Sequence, residues 1–223
     1  MKKSICILLL FVLAATACQK TESPFYPRHL IRGYLEGDYM LLYDDYRMGL
    51  AIGSESRYYP SPDTRPSADE HYLEIARRNG DTCFYQETYW LWYMERDAFA
   101  ENFRSISMTS DADWDESHPA GTPLDDLFEV SVGAYGPYIR NGYVYIGDPA
   151  FRLYCYTSIC KRMDQLEPSD LEVISDRSLS LNILSYPTVE REHTLTLTIT
   201  TTAGKVHMPT VTCIPKPYDP ETE

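Results

Sequence analysis

Residues 193–214 read HTLTLTITTTAGKVHMPTVTCI, and the period of this stretch decides the fold class. Leu195, Leu197 and Ile199 alternate with Thr194, Thr196, Thr198 and Thr200. Successive side chains of a strand point to opposite faces, so the stretch is a strand with one apolar and one hydroxyl-bearing face. A helix would need apolar residues three and four apart. The chain turns at Ala203-Gly204 and returns through Val206 to Ile214. Placing Val211 and Cys213 on the face of Leu195 and Leu197 needs a loop of odd length. Three residues ending at a left-handed Gly204 satisfy that need. Pro209 has no N–H, so the returning strand is expected to have an unpaired side there.

Working outward, Tyr39, Leu41 and Tyr43 alternate as a first strand. Phe84–Met94 (FYQETYWLWYM) is apolar on both parities from Tyr89 onward, as in a strand covered on both faces, with Trp90 and Trp92 in the core. Phe103–Thr109 alternates, with Phe103, Ser105 and Ser107 on one parity and Arg104, Ile106 and Met108 on the other. Further strands are predicted at 129–135, 142–146, 151–157 and 178–184. Residues 58–66 hold three prolines and are predicted as loop. One helix is predicted near 68–79: Ser67 and Glu70 form a capping box, and Ala68, Tyr72, Ile75 and Ala76 share a face. Arg77 and Arg78 suit its negative end, and Gly80 supplies the stop. Thr122-Pro123 before Leu124-Asp125-Asp126-Leu127-Phe128 reads as a short capped helical turn. Nineteen tyrosines against eleven glycines favour half-buried pleated surfaces. The expected fold is mainly β: an Ig-like antiparallel β-sandwich with one N-terminal helix and a short helical turn.

The N-terminus carries an address. Lys2 and Lys3 precede an uncharged apolar run, Ile5–Ala17, too short for a span of about 20 residues. Leu13-Ala14-Ala15-Thr16-Ala17-Cys18 resembles the lipobox of bacterial lipoproteins, with Ala15 standing where leucine is usual. That resemblance implies diacylation (palmitate-type chains) and a mature N-terminus at Cys18. The expected division is a signal peptide at 1–17, a lipidated tether at 18–32, one sandwich domain at 33–218 and a tail at 219–223. Removing the leader takes 17 from 223 residues, leaving 206, and takes Lys2 and Lys3, so the formal charge moves from −13 to −15. So acidic a body has no basic footprint for nucleic acid, and anionic lipid would repel it. The partner expected from the address is therefore a membrane, reached through the lipid anchor at the outer membrane of a cell envelope. Gln19-Lys20-Thr21-Glu22-Ser23 holds a single acid, which does not choose between the periplasmic and surface faces.

The lipobox, the many short strands, the connection Thr109–Gly121 running on to Phe128, and the threonine-rich hairpin closed by Ala203-Gly204-Lys205 form a combination. It resembles a group of uncharacterised lipoproteins of gut Bacteroidetes, over residue 84 to the end. The resemblance implies a β-sandwich body and brings no catalytic residues.

Candidate sites are few. Asp111, Asp113 and Asp115 have the spacing that opens a calcium loop, but position six is Glu116 and position twelve Thr122, where glycine and glutamate belong. Their alternative is a solvated connection whose aspartates form turns with their own backbone. His118, in the same connection, has no G-x-S-x-G elbow to work with. The pairs Asp44-Asp45, Asp125-Asp126 and Asp115-Glu116 offer acid–base chemistry only by abundance. Tyr58, Tyr59, Tyr135 and Tyr138 are candidates for a binding surface if their loops expose them, since exposed rings stack on sugars or anchor proteins. Otherwise they seal the rim of the sandwich. Cys83, Cys155, Cys160 and Cys213 allow three disulfide pairings in an exported chain, and no C-x-x-C favours zinc. The expected function is a non-catalytic module binding a protein or glycan partner. The alternatives are an assembly subunit of an envelope complex and an envelope hydrolase.

Overall fold

A computed structural model describes residues 31–44, 47–53, 56–60, 69–82, 96–144, 157–176 and 178–217. The leader, Cys18, the strand predicted at 84–94, Cys83 and Cys155 lie outside them. The protein is mainly β, with 46% of the described residues in strands and 16% in helices, arranged as a β-sandwich. Its strands are β1 (Ile31–Glu36), β2 (Tyr39–Asp44), β3 (Arg47–Ile52), β4 (Arg57–Pro60), β5 (Arg96–Phe99), β6 (Phe103–Ser110), β7 (Phe128–Ala134), β8 (Thr157–Arg162), β9 (Ser180–Ile183), β10 (His193–Thr201), β11 (Val206–His207) and β12 (Thr210–Cys213).

The C-terminal hairpin forms as its period requires. β10 buries every second residue from His193 to Thr201. It pairs antiparallel with β12, Leu195 opposite Val211 and His193 opposite Cys213. Thr201 N donates to Lys205 O, so the loop is Thr202-Ala203-Gly204, with Gly204 left-handed at φ 84°. The return is broken into β11 and β12 around Pro209, whose carbonyl still accepts from Leu197 N. On its other edge β10 pairs with β6. The second layer is an antiparallel sheet in the order β2-β3-β9-β7-β8. Between the two layers lies the main core, drawn from Leu41, Leu50, Val130 and Leu181 on one side and Met108, Leu195, Leu197 and Ile199 on the other.

The predicted alternation of β6 is interrupted. Thr200 faces Ser105 but Thr201 faces Phe103, which leaves Arg104 as an extra residue in a β-bulge. The bulge moves Phe103 onto the same buried face as Ile106 and Met108.

A third sheet, β4-β1-β5, adds a parallel pair, β1 with β5, to the otherwise antiparallel plan. It carries helix α1 (Glu70–Arg78), with Tyr72, Leu73, Ile75 and Ala76 buried. The helix is capped two residues after the Ser67 expected to form a capping box, which lies outside the described residues: Asp69 is the cap, its carboxylate accepting His71 N at 3.0 Å. Gly80 N donates to Arg77 O and Asp81 N to Ala76 O, and Gly80 is left-handed at φ 68°. This double bond is a Schellman closure, which is what glycine after a helix end predicts. Helix α2 (Gly136–Arg140) completes a second core in which Tyr34, Tyr72, Tyr135 and Tyr138 meet.

Other boundaries differ from expectation. The domain begins before residue 33: Ile31 is buried in β1, and its carbonyl accepts the Tyr72 hydroxyl at 3.0 Å. Of the loop predicted at 58–66, residues 58–60 belong to β4, an edge strand, where proline is tolerated. Residues 142–144, predicted as strand, are a turn, because Gly142 and Tyr143 are both left-handed at φ 65° and 64°. Of the strand expected at 151–157 only Thr157 lies among the described residues; it opens β8, which runs to Arg162. The turn expected at 124–128 is a 3-10 turn, Asp125–Leu127, without a side-chain cap, and Pro123 bridges to Thr109.

Candidate binding groove

The groove is built on one hairpin. In β2, Tyr39 and Leu41 point into the core, while Met40 and Leu42 face outward at 42% and 51% exposure. In β3, Met48 and Leu50 point inward and Gly49 and Ala51 outward. The register sets Met40 opposite Ala51 and Leu42 opposite Gly49. A bulky aliphatic row thus stands beside a row of almost no side chain, and the step between them is a trough. Leu35 and Ser56 contribute the far wall, and Asp44, Arg47, Asp97 and Asp176 its polar rim. The trough is open to solvent along its length and holds about 820 Å³. Arg32 clamps Asp97 from outside, Nε to Oδ1 at 3.1 Å and the guanidinium to Oδ2 at 2.6 Å. That paired geometry holds the Arg32 guanidinium charged and raises its pKa. Reading Tyr39, Leu41 and Tyr43 alone missed this surface. The signal was present in Met40-Leu41-Leu42, apolar on both parities, which marks a strand with apolar character on both faces.

The four tyrosines do not form one surface. Tyr135 and Tyr138 are 1% and 2% exposed, in the second core, because Gly136-Pro137 starts α2 and turns both rings inward. Their proposed binding role is corrected to packing. Tyr58 is exposed at 38% and lies over Gly33, where any β-carbon would collide with its ring. Tyr59 is half-buried; its hydroxyl donates to Glu36 Oε2 at 2.9 Å and its ring centre lies 4.3 Å from His71. A small cleft of about 160 Å³ opens there, lined by Glu36, His71, Arg78, Glu101 and Asn102. At one end of it His207 Nε2 meets Glu101 Oε2 at 2.7 Å.

The three aspartates spaced for calcium are each turned to a different local task. Asp111 Oδ1 accepts Thr194 N at 2.7 Å, and Asp113 Oδ1 accepts Ala120 N at 2.8 Å. Asp115 Oδ1 accepts Ser117 N at 2.7 Å and His118 N at 2.8 Å. The carboxylates do not converge, and among the described residues no group of three His, Cys, Asp or Glu is placed to hold a metal. His118 is bridged, Nδ1 to Asp115 Oδ1 at 2.8 Å and Nε2 to Asp126 Oδ1 at 3.2 Å. The Asp115 bond pushes its pKa up, and the same bond depresses that of Asp115.

Ser110 and His193 do form a serine–histidine contact, Oγ to Nδ1 at 2.8 Å. Both side chains are buried, so no substrate atom can reach the hydroxyl. Burial lowers the His193 pKa. Cys160, exposed on β8, and Cys213, buried, are free thiols, and burial pushes Cys213 up to about 11. No described helix is long and apolar enough to cross a membrane. Compared with known proteins, the chain matches no family profile, no curated protein and no solved structure.

Proposed function

We propose that the protein is an envelope lipoprotein, moored through an acylated Cys18, whose sandwich is a non-catalytic module that takes an aliphatic segment of a protein partner in the β2–β3 trough. The observation that carries this reading is the trough itself: exposed Met40 and Leu42 beside Gly49 and Ala51. Exposed contiguous apolar surface on a folded domain marks interaction sites. The walls are aliphatic and thioether, and methionine adapts its shape to irregular partners. Sugars call for aromatic platforms, and two of the four tyrosines that would have supplied one are core residues. A protein partner is therefore favoured over a glycan. Asp44 and Asp176 at the rim, in a chain of formal charge −13, favour a segment with basic flanks, although Arg47 on the rim and Arg32 on Asp97 offset part of that charge.

A second reading, assembly into a larger envelope complex, is supported by one feature. The five-stranded sheet ends on β8, and no described strand pairs with its outer side. Such an edge is a template for an added strand.

Photo-crosslinking in intact cells tests the first reading. A crosslinking amino acid at Leu42 is expected to trap a partner of defined mass, whereas one at Leu184, equally exposed at 52%, is not. Ala51→Trp, which fills the trough, should abolish the Leu42 adduct. Identical patterns from Leu42 and Leu184, or an adduct indifferent to Ala51→Trp, would remove the trough as the docking site. Trapping only from β8 positions would favour assembly. Mass analysis of the mature N-terminus checks the anchor.

A further inference from the structure

Residues 111–122 strap one end of the sandwich, and the deepest residue of the strap rests on a histidine. Trp114 is fully buried, its Nε1 donating to Ser185 O at 2.9 Å and its carbonyl accepting Thr188 N at 2.9 Å. Its ring stands edge-on to His193, with centroids 5.1 Å apart. His193 has no exposed surface; Nδ1 is bonded to Ser110 Oγ, and Nε2 has no hydrogen-bond partner among the described residues. Neutral imidazole tolerates that arrangement, because one nitrogen need carry no proton. Imidazolium does not, since both nitrogens become donors and the charge is cut off from water.

The groups around the ring are few. Asp111, from the β6 side, has its carboxylate occupied by Thr194 N, and the Cys213 thiol lies on the paired strand. Arg191, two residues back, donates to Asp113 O at 2.9 Å, while Glu190 and Glu192 are solvent-exposed. Burial and Arg191 oppose the cation; Asp111 favours it more weakly, and the net shift is downward. The outer turn of the same strap behaves in the opposite sense, because His118 between Asp115 and Asp126 is better held when charged.

We propose that residues 111–122 are a proton-operated strap: protonation of His193 expels Trp114 from the end of the sandwich while the Asp115–His118–Asp126 bridge retains the outer turn. Acid then presents an indole that the neutral protein hides. The β10–β6 register ends at Ser110, before Trp114, and Asp111 stays tied to Thr194, so the strap opens locally from that hinge, not by global unfolding.

Amide hydrogen exchange on the full chain, from pH 7.5 to 5.0 and corrected for intrinsic rates, is the test. Protection of 111–122 is expected to fall by up to about tenfold per pH unit from the ordinary imidazole value of about 6.5 down to the lowered value of the buried ring, and to level off below it, as linkage to one proton requires. Peptides covering 128–134 should not change. His193→Asn, which keeps a partner for Ser110 and does not titrate, should hold the strap closed throughout. Equal loss in wild type and variant, or protection of 111–122 independent of pH in the wild type, would overturn the proposal. If the variant does not fold, the His193 ring-proton titration in wild type decides. A midpoint coinciding with the loss of protection supports the strap, and titration without that loss overturns it.

Discussion

The two layers of the sandwich are alike on their inner faces and opposite on their outer ones. Outside β6 and β10 lies a plane of hydroxyls: Ser105, Ser107 and Thr109 beside Thr196, Thr198 and Thr200. Outside β2 and β3 lies the aliphatic step of Met40 and Leu42 over Ala51 and Gly49. An antiparallel sheet normally keeps one face wet, and the hydroxyl face does so without needing a partner. The aliphatic face leaves Met40 and Leu42 in water, at a hydration cost that the hydroxyl face does not bear. On the function proposed above, the difference between these faces, not between the folds beneath them, is what would separate a structural surface from a binding one.

The largest expected effect tests the likeness of the inner faces. Leu50→Ala and Leu197→Ala each remove a buried leucine, 2% and 0% exposed, from opposite walls of one core. Each should cost roughly 2–5 kcal/mol in denaturant unfolding, through lost transfer energy plus the cavity left behind. A loss confined to one of them would mean that the two layers do not share a core.

A smaller effect sharpens the contrast at the edges. The hydroxyl face is stapled at β6 by groups that titrate: Asp125 Oδ1 accepts Ser107 Oγ at 2.9 Å and Met108 N at 2.8 Å, and His118 bridges Asp115 and Asp126. Because the folded-state pKa of His118 is raised, its contribution is full below the unfolded value of about 6.5 and fades as pH rises through the folded value. Asp115 has the opposite sign: its contribution is present above the unfolded carboxylate range and lost as pH falls through its depressed value. His118→Gln should therefore destabilise more at pH 6 than at pH 9, read as a melting-temperature difference that shrinks with rising pH. A gap that widened with pH would reverse the assignment.

The smallest stability effects lie on the outer faces, where the contrast is one of function. Thr198→Lys and Met40→Lys should each change unfolding free energy by no more than about 0.5 kcal/mol, as exposed substitutions do. Only Met40→Lys should weaken capture of a partner through Leu42. Equal capture by both variants would mean that the aliphatic face is not the one that binds.

The hairpin 193–214 was legible residue by residue, including its three-residue loop, since a period of two and a left-handed glycine are local facts. The helix was legible too, although its cap moved from Ser67 to Asp69, because neighbouring polar residues compete for one set of free N–H groups. Tyr135 and Tyr138 were misplaced for a different reason. Gly136-Pro137 is equally a loop signal and the first turn of a helix, and only the presence of α1 and β1 opposite makes burying both rings favourable. The bulge at Arg104 was likewise invisible, as it exists only in relation to Thr200 and Thr201 on another strand.

Short-range chemistry in the chain settled the mainly β class, the hairpin and its turn, the helix after residue 69, and an acidic net charge. Tertiary structure alone decided that Met40 and Leu42 stand beside Ala51 and Gly49, that Asp111, Asp113 and Asp115 part company, and that His193 meets Trp114 in a dry interior. Those outcomes depend on which strands pair and in what register, and register is set by burial summed over the whole core, which no local stretch of chain contains.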